Sequence, residues 1–329
     1  MEYLLKNKQY ILGLLFSLAV IGYVLAKLDW SEVLYTFSHL NGYWLIAAFG
    51  VYLINYLLRT LRFKILLNLE KKSFTHLFGI TALYGMYLYL MPAKSGELSY
   101  PVLIKNKLAV PFTRSTASLI TARVFDFITI ALFLPFVLAT FWNRFPNWLR
   151  YNAIVFFVLV LFLTLGFLWL LKRPGKKRIF ANKHTWIEKI GQFLQNLIEN
   201  IRAIDQQGGY WHVLLLTIGI WLCIYTTFYL IVLSSGFSPN YFHMVVVSII
   251  MIPMTLLPLQ GFANLGTHEI GWAAAFRLFG YSANASLNIA ISSHIIMLLF
   301  VLTLGLLGYL ATTNKVICWT ANKHSQREK

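Results

Sequence analysis

Five stretches of this chain run longer without a charged side chain than a water-soluble fold tolerates: residues 9–26, 40–58, 151–171, 213–234 and 285–313, the last broken only by His294. Each meets the roughly 17–25 residues that a helix needs to cross hydrocarbon. Inside a bilayer a lone segment must satisfy its own backbone hydrogen bonds, so each run reads as an α-helix. Trp44, Trp142, Trp148, Tyr151, Trp211 and Trp319 sit mostly near the run ends, at the depth where amphipathic rings prefer to lie. With 12% charged residues, against about 25% in soluble domains, the chain has too little polar surface for water. Residues 9–26 follow Lys6 and Lys8 and end in Val24-Leu25-Ala26, as a cleaved signal does; the run is long for that role and reads as a retained span.

Orientation follows from the basic residues. Two weaker segments, about 74–113 and 242–281, read as hairpins that enter and leave by one face. With the N-terminus in the cytoplasm, most of the 28 Lys and Arg residues then collect inside, and Lys27, Arg144 and Arg150 fall outside. Cytoplasmic loops show that asymmetry. The expected architecture is all-α: a polytopic membrane helix bundle of about six full spans plus two opposed re-entrant hairpins in an inverted repeat. A single transmembrane domain, 1–329, would divide into inverted halves of about 1–145 and 146–329 with both termini cytoplasmic. At this level 242–281 can still be two full spans.

Each hairpin carries similar residues at its turn. Met91-Pro92-Ala93-Lys94-Ser95-Gly96-Glu97 answers Leu257-Pro258-Leu259-Gln260-Gly261, which runs on to Gly266-Thr267-His268-Glu269. Proline stops a half-helix by removing a donor, and glycine permits a tight turn. Interrupted segments at matching places in two halves point to a transporter's binding site. On that reading Lys94, Gly96, Glu97, Gly266, His268 and Glu269 bind or pass the substrate. The plainer alternative is two Pro-kinked helices packed for structural reasons.

Arg123 and Asp126 lie three apart inside a span, on one helical face. A charge in hydrocarbon costs at least about 2.5 kcal/mol, so the pair must neutralise itself or face a polar cavity, and it is either a translocation element or a structural link. Lys94 and Glu97 have the same spacing and read alternatively as a pair of their own. Glu269 has only His268 beside it and Arg277 two turns away, so it needs a distant partner, a substrate or a proton. His268 reads as a hydrogen-bonded buried histidine rather than a proton carrier paired with Glu269, because adjacent residues on a helix do not face each other. Arg59 and Arg62, after the second run, set orientation and can attract anionic phospholipid headgroups. Residues 185–204 have the apolar spacing of an amphipathic surface helix.

Other chemistries are excluded. No histidines stand at ligand spacing and no Cys pairs with a His, so no metal site or cofactor is expected. Cys223 and Cys318 do not form a disulfide framework. Walker, GxSxG and HExxH signatures are missing, which argues against ATP hydrolysis and against an enzyme of those classes. The net charge of +17 comes without an aromatic-interleaved basic domain, so nucleic acid is not an expected partner.

The run Leu90-Met91-Pro92-Ala93-Lys94-Ser95-Gly96-Glu97-Leu98, with Arg123-Val124-Phe125-Asp126 after a basic loop, resembles the lysylphosphatidylglycerol synthase transmembrane family of flippase-like membrane proteins. So do Leu58-Arg59-Thr60-Leu61-Arg62-Phe63 and Gly266-Thr267-His268-Glu269, and the resemblance covers nearly the whole chain. It departs at Ser99 and Tyr100, where the family often has an arginine, and at Ala122, where it often has an acidic residue. Members that make the aminoacylated lipid carry a soluble transferase domain after the membrane part. This sequence ends at Lys329, so the resemblance implies the translocator-like part without lipid synthesis.

The function expected is a flippase-like transporter of a phospholipid or lipid-linked headgroup, in the plasma membrane of a bacterium or archaeon. The alternative is a membrane-embedded enzyme or an accessory scaffold acting on lipid-phosphate substrates. A homo-oligomer is compatible with either.

Overall fold

The computed structural model describes residues 30–69, 73–172, 186–205, 209–256 and 261–313, and every regular element among them is helical. The helices are α1 (Trp30–Ser38), α2 (Gly42–Leu67), α3 (Phe74–Leu90), α4 (Ser99–Leu108), α5 (Phe112–Phe141), α6 (Asn147–Lys172), α7 (Trp186–Asp205), α8 (Gly209–Ser234), α9 (Tyr241–Leu256), α10 (Thr267–Leu278) and α11 (Ala283–Thr313). Five stretches, 42–67, 112–144, 147–166, 209–234 and 283–312, are long and apolar enough to cross a bilayer. The chain is thus a multi-pass helical membrane protein. The expected first span, 9–26, and the Leu257-Pro258-Leu259-Gln260 turn lie outside the described residues.

Lipid tails are as apolar as leucine, so close backbone approach and interhelical hydrogen bonds hold such a bundle together. α3 and α11 meet through glycine: a Cβ on Gly308 would stand 2.6 Å from the Gly79 carbonyl oxygen and 2.9 Å from Ala82 Cβ. α2 and α8 pack along their length, and the Asn55 amide donates to the Ile220 carbonyl at 2.8 Å. Asn41 starts α2 by accepting from Tyr43 and Trp44 N–H, and left-handed Asn68 ends it. α6 shows the opposite surface, with Val155, Val158, Leu159, Phe162 and Leu163 exposed along its length as lipid contact demands. The expected amphipathic helix is α7, whose Leu197 and Ile201 pack on Ala117 of α5.

Two helix pairs each have one short member. α4 has 10 residues and α10 has 12, so each covers about half of a hydrocarbon core roughly 30 Å thick. Each pair folds back on itself. Gly79 near the start of α3 and Lys107 near the end of α4 both meet the last turns of α11, Lys107 through a 3.1 Å bond to the Thr312 carbonyl. At the other hairpin His243, near the start of α9, stacks at 3.9 Å on Phe279, just after α10. α5 relates the two. Ser118 near its start bonds Tyr100 of α4, and Phe141 at its end packs on His243 and Phe279. Those two points on α5 are about 35 Å apart at 1.5 Å per residue. The hairpins therefore rise from opposite ends of the bundle, and their tips meet inside it, where the Asn264 amide lies 3.5 Å from the Tyr89 carbonyl.

Candidate functional site

The first tip forms because α3 must stop at Leu90. Met91 is extended ahead of Pro92, as a residue before proline prefers, and a 3₁₀ turn over Pro92–Leu98 carries the chain back. Gly96 is buried beneath α3, where a Cβ would come within 2.6 Å of Leu88 Cα and also strike the Tyr87 carbonyl. Its task is close backbone approach, and it does not line the cavity described below. That approach delivers Glu97 to Arg123 at 2.5 Å and to the Tyr84 hydroxyl at 2.8 Å. Arg123 also reaches Tyr84 at 3.0 Å and Asp126 at 3.2 Å, so the i, i+3 pair read from the sequence is present. Glu97 is thereby taken, and the alternative Lys94–Glu97 pair does not form.

Arg62 departs from its expected surface role. It is only 2% exposed and donates to Asp126 at 2.6 Å and to Thr217 at 3.2 Å. A guanidinium at that point in α2 faces α5 and α8, so it is a buried structural partner and does not gather headgroups. Two arginines and two carboxylates thus close a neutral chain of contacts in the order Arg62, Asp126, Arg123, Glu97. Tyr84 and Thr217 were not singled out in the sequence, because neutral polar side chains are ordinary in membrane helices.

Arg59 and Lys94 are left over, and both line a cavity of about 240 Å³ between α2, α3, α8, α11 and the two tips. One water needs only about 15 Å³ of such space. Side chains on a helix lean toward its N-terminus. Arg59 accordingly lies back along α2, with Nε on Asn55 Oδ1 at 2.7 Å and its guanidinium 5.7 Å from the Tyr56 ring centre. Lys94 sits at the first tip with φ +59°, a left-handed conformation that a non-glycine residue keeps only when its surroundings hold it. Among the described residues no carboxylate pairs with either cation, and none lines the cavity. The buried hydroxyls of Tyr89 and Thr227, also in the lining, have no hydrogen-bond partner. Asn55 and Asn264 add polar edges, while Phe228, Met297 and Val301 supply an apolar flank. Such a lining suits an anion attached to something apolar.

The second tip is built differently. Ala263, Asn264 and Gly266 all take positive φ, at 52°, 60° and 83°, before α10 begins. Glu269, in the first turn of α10, accepts the Gly266 N–H at 2.7 Å and so caps its own helix. Gly266 thus serves the turn through its backbone. The distant partner Glu269 needed is His294 of α11, whose Nδ1 contacts Glu269 Oε1 and whose Nε2 lies 2.8 Å from the Ala263 carbonyl. The signal was present, since His294 alone breaks the last apolar run. His268 is buried, as expected, and stacks on Trp272 and His294 at 4.8 and 4.5 Å, but its Nε2 has no hydrogen-bond partner. Among the described residues no cluster of His, Cys, Asp and Glu is arranged to hold a metal ion.

Residues 10–305 match the protein family described as Lysylphosphatidylglycerol synthase TM region. The chain matches no curated protein and no solved structure.

Proposed function

The chain belongs to the lysylphosphatidylglycerol synthase transmembrane family, whose members act on lipids in the membrane, and from that premise we propose that it is a flippase-like transporter of a phospholipid or lipid-linked headgroup. The observation that carries this reading is the cavity where the two hairpin tips meet, lined by two cations without a carboxylate partner, two unpaired hydroxyls and several apolar side chains. A polar headgroup pays heavily for desolvation, and this lining would replace water around it while the tails stay in lipid. Hairpins that re-enter from opposite faces would let each tip gate one side, the arrangement that inverted repeats give transporters.

Group transfer is supported less well. It needs a general acid or base at the substrate. Glu97, Asp126 and Glu269 are all engaged by Arg123, Arg62 and His294, and none lines the cavity.

The test is leaflet-resolved movement of phosphatidylglycerol in phosphatidylcholine vesicles holding the purified chain. Movement should exceed that in protein-free vesicles, and Arg59→Gln with Lys94→Gln should reduce it about tenfold or more while leaving the unfolding temperature within a few degrees. Equal movement in the wild type and in protein-free vesicles contradicts the reading for this lipid. Undiminished movement in the double variant removes the cavity from it.

A further inference from the structure

Glu269 and His294 are both buried and face each other from α10 and α11. The Ala263 carbonyl can only accept, so His294 Nε2 carries a hydrogen toward it. Nδ1 is then the one remaining site on the ring, and it contacts Glu269 Oε1. That contact holds only when one more proton lies between the two atoms, on the carboxyl or on the imidazole. Without it, a carboxylate oxygen and a nitrogen lone pair face each other where no water can intervene, and the contact fails.

We propose that Glu269 and His294 form a single proton-binding site whose occupancy holds the second tip against α11, which makes a proton the coupling ion of the lipid movement proposed above. Coupling rests on that functional reading; the proton site itself does not. Ala263 and Gly266, the two residues tied down by the pair, flank Asn264, and Asn264 lines the cavity. The left-handed backbone of this tip has to be held in place, and the proton completes the link that holds it. Among the described residues, other titratable groups around the pair are few. His268 stacks on His294 from α10, and Tyr89 presents its ring to it from α3 at 5.8 Å. His243 of α9 and Arg277 of α10 lie toward the far end of the hairpin, and the cations Arg59 and Lys94 lie across the cavity. Raising the pH removes the shared proton and loosens the tip; lowering it restores the link.

The experiment follows a cysteine at Asn264, labelled with a small water-soluble maleimide in lipid nanodiscs, in a chain whose Cys223 and Cys318 are replaced by serine. Glu269→Gln is the reference, because its amide donates permanently to His294 Nδ1 while its carbonyl still accepts from Gly266. Dividing the labelling rate of the chain that keeps Glu269 by that of the Glu269→Gln variant cancels the pH dependence of the thiol. This ratio should rise several-fold as the pH is raised from the acid to the alkaline side of neutrality. A flat ratio overturns the proposal. If the Glu269→Gln variant does not fold, a cysteine at exposed Asn147 serves as the thiol reference, and a flat ratio is again fatal. Labelling needs no lipid transport, so a pH gradient imposed on the phosphatidylglycerol vesicles separates the two ideas. Movement indifferent to the gradient overturns coupling and leaves the transporter, whereas no movement under any gradient overturns the transporter and leaves the proton site.

Discussion

Both hairpins carry a glycine and a carboxylate at the tip, and they secure the carboxylate in opposite ways. At the first tip Glu97 is held by Arg123, with Asp126 and Arg62 behind it. Guanidinium groups do not deprotonate in proteins, so this anchor is permanent. At the second tip Glu269 is held by His294, a partner that needs a shared proton. One tip is thus fixed to the bundle by charge, and the other by a group that can be removed. The contrast suits a cavity with one constant wall carrying Lys94 and one adjustable wall carrying Asn264.

That contrast is most vulnerable at Arg62. If the first anchor is fixed by buried charge, Asp126→Asn strands a guanidinium that is 2% exposed and should cost about 3–5 kcal/mol, read as a large fall in folded yield and unfolding temperature. Adding Arg62→Met should recover most of the loss, because no buried charge is then left unmatched and Arg123 keeps Glu97. A single variant as stable as wild type, or a double variant no better than the single, would show that the Arg62–Asp126 pair does not carry the anchor.

Glu97 should respond more mildly. Glu97 and Arg123 are about one-quarter to one-third exposed at their side chains, so solvent screens them. Glu97→Gln should therefore cost only about 1 kcal/mol, and the pH dependence of labelling at Asn264 should survive it unchanged. Loss of that pH response in the Glu97→Gln variant would mean that the two tips are not independently anchored.

Much of this arrangement was legible in the sequence, for a physical reason. Hydrocarbon admits few backbones, so uncharged runs become helices with little competition. Pro92 and Gly96 likewise mark where a helix must stop and where backbones touch, and the spacing of Arg123 and Asp126 survives as a direct contact. What the sequence did not reveal are pairings between helices. Asp126 meets an arginine 64 residues away and Glu269 a histidine 25 residues away, and helical periodicity reports only which side a residue faces. Arg62 was misplaced on the surface for the same reason. Tyr89, Thr227 and Asn264 gave no sign of a cavity, because their importance comes from having unmet or convergent polar atoms once the tips are brought together.

If a lipid headgroup sits where the hairpin tips meet, a reactive group carried on that headgroup must reach the cavity wall. Photo-crosslinking with a phosphatidylglycerol that carries a diazirine in its headgroup, in vesicles holding the intact chain, followed by mapping of the labelled residues, reads this out. Adducts are expected on the cavity lining, at Tyr89, Lys94 and Asn264 in particular, and should be lost in the Arg59→Gln, Lys94→Gln chain. Adducts confined to the lipid-facing surface of α6, with the cavity lining unlabelled, would show that the headgroup does not enter.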